Sequence, residues 1–197
     1  VPFRMTPPPD HKADLRRIAR QKRRTIDPVF AQEAAQRAAV TLGVTLRAHF
    51  GPDLGTKILS GYAAVGSELD ALPALRDHPG PVCLPVVIAP DTALLFRAWH
   101  RGSALVPGAH GIAQPVTGDA LQPDIVLVPL LAFDGRGVRL GQGGGYFDRT
   151  LHALRRSAPV LAIGYAFASQ QMPDLPAQPH DERLDMIVTD QGVIIPR

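Results

Sequence analysis

Arg139-Leu140-Gly141-Gln142-Gly143-Gly144-Gly145-Tyr146-Phe147-Asp148 is the stretch whose residue types and spacing could do chemistry. Four glycines in five positions allow backbone amides to turn toward one point with no Cβ atoms in the way. A helix predicted from about Gly145 to Arg156 would add free N–H groups and the positive end of its dipole. Arg139 can offer a planar, permanently charged fork to phosphate oxygens. Asp148, in the first helical turn, is placed to hold a magnesium ion against bound phosphates. The bland reading is a tight structural turn; the flanking Arg139 and Asp148 favour phosphate binding. Two common phosphate motifs do not fit. There is no GxxxxGK[ST], and the dinucleotide pattern GxGxxG would need glycine where Tyr146 stands.

A second concentration of charge lies near the N-terminus. Seven Lys or Arg fall between Lys12 and Arg24, against the single acid Asp14. Lys12 and Arg16 are four residues apart and share a helical face, which Arg20 and Arg23 extend. Such a stripe is commonly a solvated face or a nucleic-acid patch. No aromatic side chains interleave with the cations, as stacking on nucleic acid would require. The net charge of +3 favours anionic small molecules or nucleic acid as partners.

The elements that must position these residues alternate in type. Asp10 can cap a helix through residues 11–25, and Asp27-Pro28 starts a second. Phe30, Ala34, Ala38, Leu42, Leu46 and Phe50 recur every fourth residue until Gly51 stops the pattern. Strands are predicted over 57–62, 82–87, 94–98, 125–129, 160–165, 186–189 and 193–195, and a short helix over 70–78. Ile125-Val126-Leu127-Val128 is apolar on both faces, the mark of a buried parallel strand. The class is therefore α/β: three layers, with a mostly parallel central sheet and helices on both faces. Ligands in such sheets bind at loops leaving the carboxyl ends of the strands. Residues 1–10 are expected to form a flexible tail and 11–197 a single domain.

RLGQGGGYFDR, preceded by VPLLAFD, resembles the signature of the 5-formyltetrahydrofolate cyclo-ligases, also called 5,10-methenyltetrahydrofolate synthetases. KADLRR at Lys12–Arg17, SELD at Ser67–Asp70 and PHDERLDMIVTDQGVI at Pro179–Ile194 resemble further family motifs, in the same order. The resemblance implies a fold related to sugar-phosphate isomerases and CoA transferases. It also implies an ATP- and Mg²⁺-dependent closure of 5-formyltetrahydrofolate, free or polyglutamylated. By that resemblance Lys12 and Arg16 contact ATP phosphates, and Arg139, Leu140, Gly141, Gln142, Gly143, Gly144, Gly145, Tyr146 and Phe147 form the nucleotide loop. Asp148 and Asp185 bind the metal, while Glu68, Tyr146 and Phe147 meet the folate, a carboxylate suiting the pterin's two-donor edge. Trp99 is either a stacking wall of the folate pocket or an ordinary core residue. Phe147 stands where a second tyrosine is frequent, and Gln114 where glutamate is common.

The remaining expectations are of class. A lone cysteine, Cys83, in an apolar run excludes an internal disulfide framework and suits a reducing cytoplasm. No apolar run approaches a membrane span, so no membrane partner is expected. Nucleic acid is not expected either, for want of aromatics in the basic helix, and the chain is expected to be a monomer. His180 reads as a hydrogen-bonding scaffold. The rivals are a sugar-phosphate isomerase or CoA transferase-like enzyme, and a nucleic-acid module built on the basic helix.

Overall fold

The computed structural model describes residues 11–197, so the tail expected over 1–10 lies outside the described residues. Two helices open the chain, α1 (His11–Arg24) and α2 (Pro28–Phe50). Asp27 separates them: its Oδ1 accepts from the amides of Val29 and Phe30, with proline in the first turn. Gly51 ends α2 at φ +56°, where a side chain would be strained. Ala34, Ala38, Leu42 and Leu46 form the buried stripe, as their spacing requires. Phe30, at the helix start, is half out of it and stacks on Phe167 at 6.4 Å.

The strands and later helices follow as β1 (Leu59–Ser60), α3 (Leu72–Asp77), β2 (Val82–Val86), β3 (Leu95–Ala98), β4 (Leu105–Pro107), β5 (Ala113–Pro115), β6 (Ile125–Val128), β7 (Ala132–Phe133), β8 (Arg139–Leu140), α4 (Tyr146–Ser157), β9 (Leu161–Ala166), β10 (Met186–Thr189) and β11 (Gly192–Ile194). Seven of them make one sheet in the order β11-β10-β9-β6-β1-β2-β3. Every pairing from β10 to β2 is parallel, and only the two outer strands run antiparallel. Alternation along the central strands separates two cores. Ile125, Leu127, Ile163, Tyr165 and Val188 face α2 and α3, whereas Val126, Val128, Ala162 and Ile187 face Leu151 and Leu154 of α4. Helices thus cover both faces of the sheet.

The strand predicted over 57–62 pairs only through Leu59 and Ser60. Leu75 of α3 packs directly on Gly61, where an added Cβ would sit 2.7 Å from its Cδ1. Two small hairpins, β4–β5 and β7–β8, lie outside the main sheet.

From β1 the chain moves outward to β2 and β3; from β6 it moves the other way, to β9 and β10. The order reverses between neighbours β1 and β6. Loops leaving the carboxyl ends of such a strand pair diverge and open a crevice between them. The loop after β1 carries Glu68, and the segment after β6 carries the glycine run.

Candidate active site

The β7–β8 hairpin joins β6 to the glycine run. Its turn is built on Asp134, whose Oδ1 accepts from the amides of Arg136 and Val138, while Oδ2 accepts from Leu175 N and the Arg136 side chain. Burial alone would raise this carboxyl's pKa, but the Arg136 side chain and those three amides outweigh it and hold it below the usual carboxylate range. The hairpin delivers Arg139 to the interior rather than to an open loop. Its side chain is 4% exposed; Nη2 pairs with Asp148 Oδ1 at 2.6 Å, and Nη1 donates to the Glu182 carbonyl. Burial lowers the pKa of this guanidinium, and Asp148 opposes the loss of charge. Its fork is thus engaged by protein acceptors.

Arginines grip the glycine run by its carbonyls. Arg16 Nε donates to Gly141 O at 3.1 Å, Arg20 Nη2 to Gln142 O at 3.3 Å and Arg149 Nη2 to Gly144 O at 2.6 Å. The amides of Gly143, Gly144 and Gly145 donate to no acceptor among the described residues. Gly143 and Gly145 stand at φ +107° and +65°, conformations that glycine adopts without strain. A Cβ on Gly143 would lie 3.6 Å from the Arg16 guanidinium, so this cation lies close alongside the loop. The result is a backbone concavity with unused donors, held from behind by three cations and opening onto the N-terminus of α4. Leu140 is buried beneath it, and the Tyr146 ring lies against the Arg149 guanidinium at 5.3 Å.

The segment before β10 closes another side. Lys12 Nζ pairs with Asp181 at 2.7 Å and donates to Gln178 at 3.1 Å. Burial pushes the Asp181 carboxyl up, but Lys12 and the Gln178 amide hold it below the usual range. Gln178, Asp181 and Glu182 line a cavity of about 240 Å³ with Arg139 and Arg183. A larger cavity, about 380 Å³, opens between α2 and α3, lined by Leu42, Leu46 and Arg47, and holds none of the predicted residues. Asp148 Oδ1 also accepts from Glu182 N at 3.0 Å. Asp185 Oδ2 accepts from Ala162 N at 2.7 Å and Arg155 Nη2 at 3.0 Å, and Arg155 also pairs with Glu182. Asp148 Oδ2 and Asp185 Oδ1 accept no hydrogen bond among the described residues. Each carboxylate thus keeps one oxygen of the hard-donor kind that suits Mg²⁺, but no contact joins the two among the described residues. Asp148 stands in the first turn of α4 against Arg139 and Glu182 N, whereas Asp185 is held near the start of β9 and by Arg155 in the last turn of α4. Among the described residues no three His, Cys, Asp or Glu side chains form a ready-made metal cluster. His180 is exposed, its ring 3.8 Å from Asp181.

Glu68 lies in the loop after β1, its side chain 8% exposed, with Oε2 accepting from Val65 N at 3.0 Å. Opposite it stands Arg23, 6% exposed, 3.6 Å from Oε1. The sequence shows Arg23 only as one cation of a stripe; the sole hint is its helical spacing from Arg16 and Arg20. Trp99 is not brought to this edge. Because β3 runs antiparallel to β2, Trp99 pairs with Val82 at the start of β2, and its ring joins the α2-side core. Among the described residues its buried Nε1 has no hydrogen-bond partner. Phe147 packs on the core beneath α4, so its ring is partly committed to the interior. Cys83 is buried in β2, and burial pushes its thiol up to about 12, which leaves it inert packing.

A sequence profile of the 5-formyltetrahydrofolate cyclo-ligase family matches residues 10–190. The chain belongs to that family. It is 33% identical over 185 residues to the 5-formyltetrahydrofolate cyclo-ligase of Escherichia coli K12, covering 89% of this chain and 98% of that one. It is 29% identical over 201 residues to the Mycolicibacterium smegmatis cyclo-ligase, covering 95% and 97%. The solved 5,10-methenyltetrahydrofolate synthetase of Aquifex aeolicus superposes with a TM-score of 0.72 at 27% identity, over 94% of this chain and 93% of that one. The synthetase of Mycoplasma pneumoniae does so with 0.68 at 26%, over 91% and 99%. Membership of the cyclo-ligase family supports that reading over the isomerase, transferase and nucleic-acid alternatives open to the sequence. Among the described residues no helix is long and apolar enough to cross a membrane.

Proposed function

We propose that this cyclo-ligase converts 5-formyltetrahydrofolate and ATP to 5,10-methenyltetrahydrofolate, ADP and inorganic phosphate. The observation that carries the reading is the glycine run, its carbonyls drawn back by Arg16, Arg20 and Arg149 while the amides of Gly143–Gly145 stay unused. Such a concavity receives a terminal phosphate. The formyl oxygen of the substrate is an amide oxygen and a poor leaving group. Attack by that oxygen on the γ-phosphorus expels ADP and leaves an iminium phosphate. N10 then attacks the activated carbon, and loss of phosphate with the N10 proton leaves the methenyl bridge.

The chain's own task is to orient the two substrates and balance charge. Arg16 sits against the loop, and Lys12 lies on the same face of α1, held by Asp181. Asp148, in the first turn of α4 beside the glycine run, would offer a Mg²⁺ its oxygen that carries no hydrogen bond. Asp185, the other carboxylate the family resemblance implies, would have to reach that ion from near the start of β9. When bound, the ion would neutralise charge on the phosphate oxygens. Glu68 accepts the pterin's paired N–H donors across the crevice. The single cysteine, Cys83, suits a reducing cytoplasm.

The test is the appearance of methenyltetrahydrofolate absorbance from 5-formyltetrahydrofolate, with and without Mg-ATP, read against ADP release. One ADP per methenyl product is expected. Product at the same rate without ATP, or ADP release without product, overturns the reading.

A further inference from the structure

Arg23 is placed and bonded unlike the other cations of α1. Lys12, Arg16 and Arg20 meet the glycine run and residues 178–181. Arg23, about two turns beyond Arg16, turns inward to the opposite lip of the crevice. Its guanidinium Nε donates to Ser67 Oγ at 3.2 Å, Nη1 donates to Leu130 O at 3.2 Å, and Nη1 lies 3.6 Å from Glu68 Oε1. One buried group therefore joins α1, the loop after β1 and the segment after β6. The loop after β1 leaves a strand of only two residues, so little ladder pairing fixes it. An arginine this buried needs an opposing charge, and Glu68 is the carboxylate placed to supply it. With Val65 N on the other oxygen, the carboxylate is held from two sides.

We propose that Arg23 is a positioning residue for the folate. It fixes the plane of the Glu68 carboxylate against the pterin, and so sets folate affinity without touching the nucleotide. The inference rests on the assignment of Glu68 to the pterin. Arginine is required for geometry as well as charge: its fork reaches Ser67, Leu130 and Glu68 together, which a lysine ammonium does not.

The test is a double-mutant cycle read by calorimetric binding of 5-formyltetrahydrofolate and of Mg-ATP, using Arg23→Gln, Arg23→Lys, Glu68→Gln and the Arg23→Gln/Glu68→Gln pair. Arg23→Gln weakens folate binding on the order of thirtyfold, the effect of truncating one partner of a buried charge pair, and leaves the nucleotide Kd unchanged. Arg23→Lys falls between, and it carries the test if the glutamine variant does not fold. Arg23→Gln added to Glu68→Gln costs little more, because the two act through one carboxylate. Equal weakening of both ligands, or losses that simply add, makes Arg23 a scaffold residue and overturns the inference. Unchanged folate binding in Glu68→Gln instead refutes the assignment of Glu68 itself.

Discussion

Arg139 carries its charge into the interior opposite one carboxylate, Asp148. Removing Asp148 strands that charge, so the residue is structural as well as a candidate metal ligand. Asp148→Ala is expected to lose about 3 kcal/mol of stability, the cost of breaking a buried pair, measured by urea unfolding. Asp148→Asn keeps an acceptor for Glu182 N and loses less, while turnover falls in both on the order of a hundredfold. Asparagine with normal turnover at saturating Mg²⁺ removes Asp148 from the metal site. Asp134 allows a separate test. Its folded pKa lies below that of the unfolded chain, so its contribution is present above about pH 4 and is lost as pH falls through the folded value. Asp134→Asn should cost about 2 kcal/mol at pH 7, as for hydrogen bonds to a charged group, and the gap to the parent should narrow below pH 4. A gap that stays constant to acid pH would assign the effect to shape rather than charge. At this scale the sequence was legible in residue types but not in partners. Arg139 reads as a free phosphate fork because Asp148, nine residues on, is hidden until the loop doubles back. Arg23 and Glu68 are 45 positions apart, and nothing local in either marks the pair.

The glycine run works as an element because its neighbours define its curvature. Gly145 caps α4 in the left-handed region, and a Cβ there would stand 2.7 Å from Arg149 Nη1, on the side chain that draws back Gly144 O. Gly145→Ala should therefore cost about 1–2 kcal/mol through the strained conformation and raise the KM for ATP more than that for folate. Gly141→Ala meets nothing within 4 Å and has no unusual φ, so its thermal unfolding should match the parent. Equal destabilisation by both substitutions would argue against a conformational role for Gly145. Elements with strong end signals were the legible ones. Asp27-Pro28 and Gly51 bound α2, and the apolar run 125–128 gave β6. The hairpins β4–β5 and β7–β8 have strands of two or three residues, too short for any alternation to show, so they were not. Trp99 reads equally as pocket or core because only the antiparallel turn of β3 decides which edge it reaches.

At the scale of the whole molecule, the reversal of strand order between β1 and β6 brings four separated stretches together: α1, the loop after β1, the glycine run and residues 178–182. Leu15 and Ala19 of α1 pack on Leu131, Val138 and Leu140 of the β7–β8 hairpin. The glycine run itself, the loop after β1 and residues 178–182, however, meet α1 through side chain to backbone bonds and ion pairs, so these segments should open more readily than the sheet beneath them. A ligand that binds only the folded chain adds stability by mass action, about 2.7 kcal/mol at a hundred times its Kd. That stability should appear first where the ligand joins loosely held segments. Hydrogen exchange is therefore expected to slow in residues 12–24, 141–149 and 178–182 with Mg-ATP, and in 63–70 with 5-formyltetrahydrofolate. The segment around Trp99 lies at the start of β2, across the sheet from the crevice, and should exchange at the same rate with either ligand. Protection concentrated around Trp99, with the glycine run unchanged, would place the substrates at the wrong end of the strands and remove the switch-point crevice as the site. Protection of 12–24 by both ligands would instead show α1 relaying occupancy between the phosphate loop and Glu68, because this one helix carries the side chains that hold both.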